Sequence, residues 1–400
     1  MIKILALYIF LISSFFSFTS CNTSASEPAP VATDTQPAHY VSSTLLLSVP
    51  LNTLQTLLPK HQYSAYQKEV KYGVSVYKLV YKTTYQGKQV NASGLVCVPV
   101  GMAEPAPVLS AQHGTIFAHN EAPTHFSGLS GFELFASAGY ITLIPDFLGF
   151  GESQNLFHPY YDQKHSALAV VDMIKGAKEF YEEQQIAAND KLFLVGYSEG
   201  GYVTLAAQKE IETNPAHGLK ITASAAGAGG YDLTSMLGDI TSGKEYTYPA
   251  YLAYVLQAYN QTNNWQRPLP EMFQEPYATK LPNLFNGSNS GSMINRELPR
   301  DPQKLFTPSF YQGLLQANGE QTLKRALQDN SLTNWTPQSP TRLYHGTADD
   351  IVPFQNSKDT FYGFKARGAK QVEFFPIKGG THGTAFIPML ESIIPWIQEH

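Results

Sequence analysis

The chain has 400 residues, which suggests one large domain or one domain with an insertion. Its 27 Lys plus Arg and 32 Asp plus Glu give a net charge of −5, whereas a nucleic-acid-binding protein needs a basic face to neutralise phosphates. With 43% hydrophobic and 15% charged residues, the chain can bury a core and is not an intrinsically disordered protein. Two cysteines, Cys21 and Cys97, exclude a disulfide-rich scaffold and a multi-cysteine metal site.

The N-terminal residues 1–20 are predicted to be a signal peptide. Lys3 precedes an apolar run, residues 4–18, that is shorter than the roughly 20 residues of a membrane-spanning helix. The run ends in Thr19-Ser20-Cys21, which resembles the lipobox of bacterial lipoproteins, although Phe18 and the Thr-Ser pair depart from the usual residues. This resemblance implies an exported cell-envelope lipoprotein, attached to the membrane through lipidated Cys21. The alternative is an ordinary secretory signal with a chance cysteine.

The next segment, residues 21–40, is rich in Ser, Thr, Ala and Pro and is predicted to be a flexible spacer. The chain beyond it alternates β-rich and helical patterns. Residues 74–85 and 90–100 favour a hairpin, because Gln86-Gly87-Lys88 separates two β-rich runs. Further strands are predicted at 108–112, 140–145, 191–195, 221–226, 341–344 and 372–376, with helices at 165–185 and 201–211 and after each of the last two strands. Repeated strand–helix units indicate a mostly parallel sheet with helices on both faces.

The alternation breaks between residues 232 and 339. This segment is rich in Pro, Asn and Tyr, contains helical patterns at 249–260 and 321–329, and shows no convincing strand. It is therefore predicted to be a helical cap inserted over one end of the sheet. The core is then divided into a first part, residues 41–231, and a second part, residues 340–400.

Gly196-Tyr197-Ser198-Glu199-Gly200 is a G-x-S-x-G motif between a predicted strand and a predicted helix. A tight turn of this kind exposes the serine at the end of the strand, above a helix N-terminus that stabilises negative charge. A serine hydroxyl is a poor nucleophile until a base removes its proton, so partners are needed. On such a sheet they are expected after later strands, in the order serine, acid, histidine.

Both later loops carry suitable residues. Asp349 and Asp350 follow the strand at 341–344, and His382 follows the strand at 372–376. The residues alone leave Asp349 and Asp350 open as the acid. The attacked carbonyl would become an oxyanion, which needs backbone N–H donors.

These motifs resemble those of the α/β-hydrolase superfamily. The similarity includes the G-x-S-x-G motif at residues 196–200, called the nucleophile elbow, and the H-G-x-x-D-x-x-V-P stretch at 345–353. It also includes the late Gly-Gly-Thr-His and an Asp146 loop of the D-x-x-G-x-G-x-S type. Within the superfamily the chain is most similar to the secretory-lipase-like group, with its long insertion between strands six and seven. The resemblance implies the α/β-hydrolase fold, with Ser198 as nucleophile, Asp349 as acid and His382 as base.

The same resemblance implies an oxyanion hole formed by the backbone of Glu199 together with Thr115 or Gly114. The Glu199 side chain is interpreted as a pocket-edge carboxylate, and Asp146 as a structural loop anchor. His113 is expected to shape its loop. A further set of histidines is interpreted as surface or pocket-rim residues without metal-ligand spacing: His119, His125 and His165.

The leading hypothesis is a serine hydrolase of the lipase or esterase type, cleaving carboxylic esters through an acyl-enzyme, with no cofactor and no metal. The alternatives are a serine peptidase or amidase on the same fold and, with less support, a non-catalytic binding lipoprotein. The tyrosine-rich cap is expected to supply a substrate-binding wall that includes Tyr251 and Tyr254. The alternative for these rings is that they pack the core of the cap itself.

Overall fold

The computed structural model describes residues 38–57, 64–126 and 130–400. The predicted signal peptide, Cys21 and most of the predicted spacer lie outside these residues. Nine strands form one sheet: β1 (Tyr40–Val49), β2 (Gly73–Tyr85), β3 (Lys88–Val100), β4 (Ala106–Gln112), β5 (Ile141–Pro145), β6 (Ala188–Tyr197), β7 (Ala223–Gly227), β8 (Thr341–Gly346) and β9 (Val372–Ile377).

The sheet has the strand order β1-β2-β3-β5-β4-β6-β7-β8-β9. The first three strands pair antiparallel, and β3 also pairs antiparallel with β5. All pairs from β5 through β9 are parallel. Every residue of β5 and β7 is buried, as expected for strands covered on both faces. This is the α/β-hydrolase architecture expected from the sequence.

Fourteen helices are described, besides several short 3₁₀ turns. They are α1 (Leu51–Leu57), α2 (Leu134–Ser137), α3 (Gln163–Gln184), α4 (Glu199–Thr213), α5 (Leu233–Ile240), α6 (Pro249–Thr262), α7 (Leu269–Met272), α8 (Tyr277–Leu284), α9 (Gly291–Glu297), α10 (Pro302–Leu305), α11 (Pro308–Leu315), α12 (Gln321–Asp329), α13 (Phe354–Ala366) and α14 (Phe386–Gln398).

Helices cover both faces of the sheet, and each face has its own apolar core. One core includes buried residues of α3, α4 and α13, and it continues into the helices between β7 and β8. The other includes buried residues of α2 and α14, which pack on the opposite face. Helix α3 begins where the Asp162 carboxylate accepts from the backbone N–H of His165, and it ends at Gln185 in the left-handed conformation.

The segment between β7 and β8 holds helices α5 to α12, of 4 to 14 residues each. Proline stands at the first or second position of several of them, where its missing N–H costs no hydrogen bond. We call α5 to α12 the cap. The only extended pairing within it is an isolated bridge between Phe273 and Phe306, among residues 232–339, all of which are described.

Strand β1 was not predicted from the sequence. It is an edge strand that pairs only with β2, and its register shifts twice, between Tyr40 and Ser42 and between Leu45 and Leu47. Because each shift breaks the alternation of inward and outward side chains, the strand lacks the period-2 pattern by which strands are found. With β1 counted, the cap follows β7, which is strand six of the sequence-based numbering.

None of the described helices is both long and apolar enough to cross a membrane.

Candidate active site

The G-x-S-x-G motif forms a sharp turn between β6 and α4. Ser198 lies between the two elements with φ of 60° and ψ of −126°, a conformation that L-residues rarely adopt. A side chain on Gly196 would overlap the carbonyl of Gly200, and one on Gly200 would overlap the carbonyl of Gln112. The two glycines therefore allow the turn to close against β4, which leaves the Ser198 side chain at the C-terminal edge of the sheet.

Three predicted residues meet at this edge. Nε2 of His382 lies 2.8 Å from Oγ of Ser198, and Nδ1 of His382 lies 2.7 Å from Oδ2 of Asp349. Since the carboxylate accepts, Nδ1 carries the hydrogen and Nε2 is free to accept the proton of the serine hydroxyl. The phenol of Tyr197 donates to the His382 carbonyl at 2.7 Å, which fixes the loop that carries the imidazole.

The Asp349 carboxylate is surrounded by donors. Oδ1 accepts from the backbone N–H groups of Ile351 and Val352, at 2.9 Å each. Oδ2 accepts from His382 and lies 3.2 Å from Nε2 of His345. Burial acts to raise the pKa of Asp349, but hydrogen bonds from His345 and His382 outweigh it and hold that pKa well below its ordinary value. The group is therefore ionised at neutral pH.

The neighbouring Asp350 is exposed, and within the described part of the chain it forms no hydrogen bond with His382. The geometry thus distinguishes two carboxylates that the residues alone left open. Two backbone N–H groups of its own loop donate to Oδ1 of Asp349, and the other oxygen, Oδ2, faces the histidine.

His345 opens the H-G-x-x-D-x-x-V-P stretch and was given no individual role from the sequence. Its ring is fully buried, and Nδ1 lies 2.6 Å from Oγ of Ser357. Nε2 lies 3.0 Å from the Val352 carbonyl, which can only accept, so Nε2 carries a hydrogen that also faces Asp349. His345 therefore holds the acid loop to the first turns of α13.

The loop after β4 approaches the serine. A Cβ built on Gly114 would lie 3.6 Å from Cβ of Ser198, and Thr115 shares a cavity wall with Ser198. The backbone N–H groups of Thr115 and Glu199 donate no hydrogen bond to the described parts of the chain. They are thus available to a charge that develops next to Ser198.

His113 shapes this loop. Its Nδ1 donates to the Gly114 carbonyl at 2.7 Å, and its ring stacks on Phe147 with the centroids 4.2 Å apart. Burial lowers the pKa of His113, so the ring is neutral at pH 7. The Asp146 carboxylate, beside Phe147, accepts from Ser93 and Thr124 and ties the loop after β5 to its surroundings.

An apolar cavity opens from Ser198 into the cap. Thr115, Tyr160 and Tyr161 line it near the serine. Ile351 and Val352 of the acid loop also line it. The rest of the wall comes from the helices of the cap and the loops between them: Leu233, Met236, Leu237, Ile240, Tyr246, Tyr251, Leu252, Val255, Leu256, Phe306, Leu314, Leu323 and Leu327.

The two tyrosines expected in the substrate-binding wall lie in different places. Tyr251 is partly buried and lines the cavity. Tyr254 is 4% exposed and does not line it, so the expectation for this ring is wrong. Because three residues of a helix span about 300° of rotation, the two side chains leave α6 about 60° apart. Tyr254 packs between Phe117 and Tyr160, 4.8 Å from each ring centroid.

The Glu199 side chain is not a pocket-edge carboxylate. It is 1% exposed, and its Oε1 lies 2.7 Å from Nε2 of His158, a residue that no sequence pattern singled out. His165 is likewise not a rim residue, because it is 8% exposed and bonds Asp162 at the start of α3. Both side chains are buried by partners distant in sequence or by tertiary packing, which local patterns do not encode.

No three His, Cys, Asp or Glu side chains are grouped as metal ligands within residues 38–57, 64–126 and 130–400. His119 and His125 line a second, polar cleft together with Lys78 and Glu152, which pair with each other at 2.6 Å.

Solved structures resemble this chain over most of its length. A Legionella pneumophila protein shares 26% identity and a TM-score of 0.83, with 90% of this chain and 98% of that one covered. The rice cell wall degrading esterase LipA from Xanthomonas oryzae shares 27% identity and a TM-score of 0.79, covering 90% and 97%. Candida antarctica lipase A, at 18% identity and a TM-score of 0.65 over 90% and 81% of the two chains, shares the fold alone.

Two fungal proteins resemble the chain in sequence. Lipase 6 of Candida albicans is 24% identical over 65% of this chain, which spans 55% of that lipase's length. A secreted triacylglycerol lipase of Malassezia furfur is 23% identical over 81% of this chain and 70% of its own. The sequence profile of the secretory lipase family matches residues 133–400, which include the elbow, the cap and both later loops. The chain therefore belongs to the secretory lipase family.

Proposed function

We propose that this protein is a serine hydrolase that cleaves carboxylic esters of apolar acids. The single observation that carries the proposal is the relay from Ser198 through His382 to Asp349 at the mouth of an apolar cavity. An intact relay of this kind has no use in a binding lipoprotein. The esterase and lipases among the similar proteins support the same reaction class.

The reaction begins when Oγ of Ser198 attacks the acyl carbon and its proton passes to Nε2 of His382. The ionised Asp349 stabilises the imidazolium and keeps the ring oriented through Nδ1. The tetrahedral intermediate collapses as Nε2 returns the proton to the departing alcohol oxygen, which leaves an acyl-enzyme on Ser198. A water molecule then attacks the acyl carbon as His382 takes its proton, the bond to Oγ of Ser198 breaks as His382 returns the proton to Oγ, and the acid is released.

The negative oxygen of each tetrahedral intermediate would accept from the backbone N–H groups of Glu199 and of Thr115 or Gly114. The Glu199 N–H stands at the first turn of α4, where the helix macrodipole adds to the stabilisation. Removal of a single donor of this kind from a serine hydrolase costs about 10²–10³ in kcat. Backbone donors held by the elbow need no reorganisation during the reaction.

The apolar cavity supports a hydrocarbon chain as the acyl part of the substrate. Apolar side chains of α5, α6, α11 and α12 line it, and burial of each methylene of a substrate there is worth about 0.8 kcal/mol. Selectivity for chain length would therefore reside in the cap, and the chemistry in the sheet loops.

Hydrolysis of p-nitrophenyl esters of increasing chain length, measured beside aminoacyl anilides, tests the proposal. The expected result is ester cleavage with a preference that rises with chain length and then falls when the cavity is filled. Preferential cleavage of the anilides would instead identify a peptidase or amidase on the same fold. Absence of both activities from folded protein would indicate a binding lipoprotein.

We further propose that the protein is exported and attached to the cell envelope through acylated Cys21. Cys21→Ser should release active enzyme from membrane fractions or block processing, whereas the wild type should partition into a detergent phase. A mature wild-type protein with an unmodified N-terminus at another residue would contradict the attachment.

A further inference from the structure

The residue that follows the nucleophile carries a buried acidic side chain. Glu199 is 1% exposed, and its backbone N–H is the proposed oxyanion donor. An uncompensated negative charge here would oppose the negative charge that develops on the substrate.

His158 compensates this carboxylate. Its side chain is 4% exposed, and Nε2 lies 2.7 Å from Oε1 of Glu199. On the other side of the ring, Nδ1 lies 2.6 Å from the carbonyl of Leu148. A carbonyl can only accept, so Nδ1 carries a hydrogen.

This assignment fixes the protonation of the pair. A hydrogen bond between Nε2 and Oε1 needs one proton, which belongs either to an imidazolium facing a carboxylate or to a carboxylic acid facing an imidazole. Both forms have zero net charge. Loss of that proton would leave a buried carboxylate oxygen against a ring lone pair, which is strongly unfavourable.

The surroundings keep the ring of His158 in place. It packs against Phe150 at 5.2 Å and Tyr254 at 5.6 Å between centroids. A side chain on Gly149 would lie 2.6 Å from the His158 backbone, so the loop after β5 also closes directly on this residue. His158 is thus a rigid support that reaches the elbow from a segment far from it in sequence.

We propose that His158 is a positioning residue for the reaction, which neutralises and orients Glu199 so that its backbone N–H stabilises the oxyanion. The inference rests on the proposed ester hydrolysis. Because the pair acts on charge that appears only in the transition state, its loss should lower kcat and leave KM nearly unchanged.

The test is a double-mutant cycle read by ester kinetics. His158→Ala leaves the Glu199 carboxylate buried without a counter-charge, and kcat should fall about 100-fold while KM changes less than about threefold. Adding Glu199→Gln to His158→Ala removes that charge, and kcat should recover at least about tenfold. A merely structural role would show no such recovery, because the amide fills the same space as the carboxylate.

His165→Ala is the matched control. His165 is also a buried histidine bonded to a carboxylate, Asp162, but it does not line the cavity. This variant should lower the melting temperature and keep kcat. Where His158→Ala does not fold, Glu199→Asp breaks the same hydrogen bond by shortening the side chain and should show the same loss of kcat.

The inference is overturned if kcat of folded His158→Ala, or of Glu199→Asp in its place, stays within about threefold of wild type. It is also overturned if the double variant remains as slow as His158→Ala. An inactive wild type with every ester would reject the proposed function as well, so the two failures are distinguishable.

Discussion

The sheet loops and the cap meet at the same cavity but are built differently. Ser198 follows β6 directly, and Asp349 and His382 lie in the loops after β8 and β9; backbone or side-chain hydrogen bonds fix the orientation of all three. The cap consists of eight helices, and its contribution to the cavity is almost entirely hydrocarbon. Reactive groups need directional restraints, whereas a chain-binding wall needs only volume and apolar surface.

The largest effect is expected when the nucleophile at the edge of the sheet is removed. Ser198→Ala should lower kcat by roughly 10⁴ to 10⁶, because the nucleophile is lost, while the elbow keeps its fold. Ester kinetics beside circular dichroism provide the measurement. Hydrolysis at the wild-type rate by a folded variant would show that another residue carries the reaction.

Asp349→Asn should have the next largest effect, on the order of 10³ to 10⁴ in kcat, because an amide cannot support the imidazolium or fix its tautomer in the same way. Asp350→Asn is the matched control at the adjacent, exposed position and should cost less than about tenfold. If Asp350→Asn lowered kcat more than Asp349→Asn in steady-state assays, Asp350 would be the acid.

The cap side is tested by two tyrosines on α6. Tyr251 lines the cavity, so Tyr251→Ala should raise KM for long-chain esters and alter chain-length preference, at about 1–3 kcal/mol if the ring touches substrate. Tyr254 packs behind the wall, so Tyr254→Ala should mainly lower the melting temperature. Kinetics over an ester series and thermal scans separate the two outcomes. Equal effects of both variants on chain-length preference would mean that the two rings share one role.

The smallest expected effect concerns pH. Burial acts to raise the pKa of Asp349, but hydrogen bonds from His345 and His382 hold this pKa below its ordinary value. Since the folded-state pKa is the lower one, the ionised carboxylate stabilises the fold above the unfolded-state pKa of about 4, and this contribution is lost as the pH falls toward the folded-state pKa.

Chemical unfolding of wild type and Asp349→Asn across pH measures this contribution. The difference in unfolding free energy should be constant from pH 7 to about 5 and should shrink below about pH 4. A difference that grows on acidification would mean that burial dominates and that the pKa of Asp349 is raised.

The same contrast explains what the sequence could predict. The hairpin at Gln86-Gly87, the parallel strands and the positions of Ser198 and His382 follow from short patterns, because each is determined by residues adjacent in the chain. The choice between Asp349 and Asp350 did not follow from the residues alone. The position of Tyr254 and the partner of Glu199 depend on elements separated by many residues. His158 in particular lies 41 positions from Glu199, and nothing near either residue indicates the contact.

The cap could also be predicted only in part from the sequence. Its helical nature was predictable from residues 249–260 and 321–329, but most of its helices are too short for a periodic pattern to develop. Which of its side chains face Ser198 is decided by how eight helices pack. Only the assembled cavity separates Tyr251 from Tyr254.

The most direct test of the central claim is reaction of the enzyme with a fluorophosphonate, followed by peptide mapping. We expect a single phosphonyl group on Ser198 in the wild type and none on Ser198→Ala. A label on another residue, or equal labelling of both proteins, would contradict the assignment of Ser198 as the nucleophile.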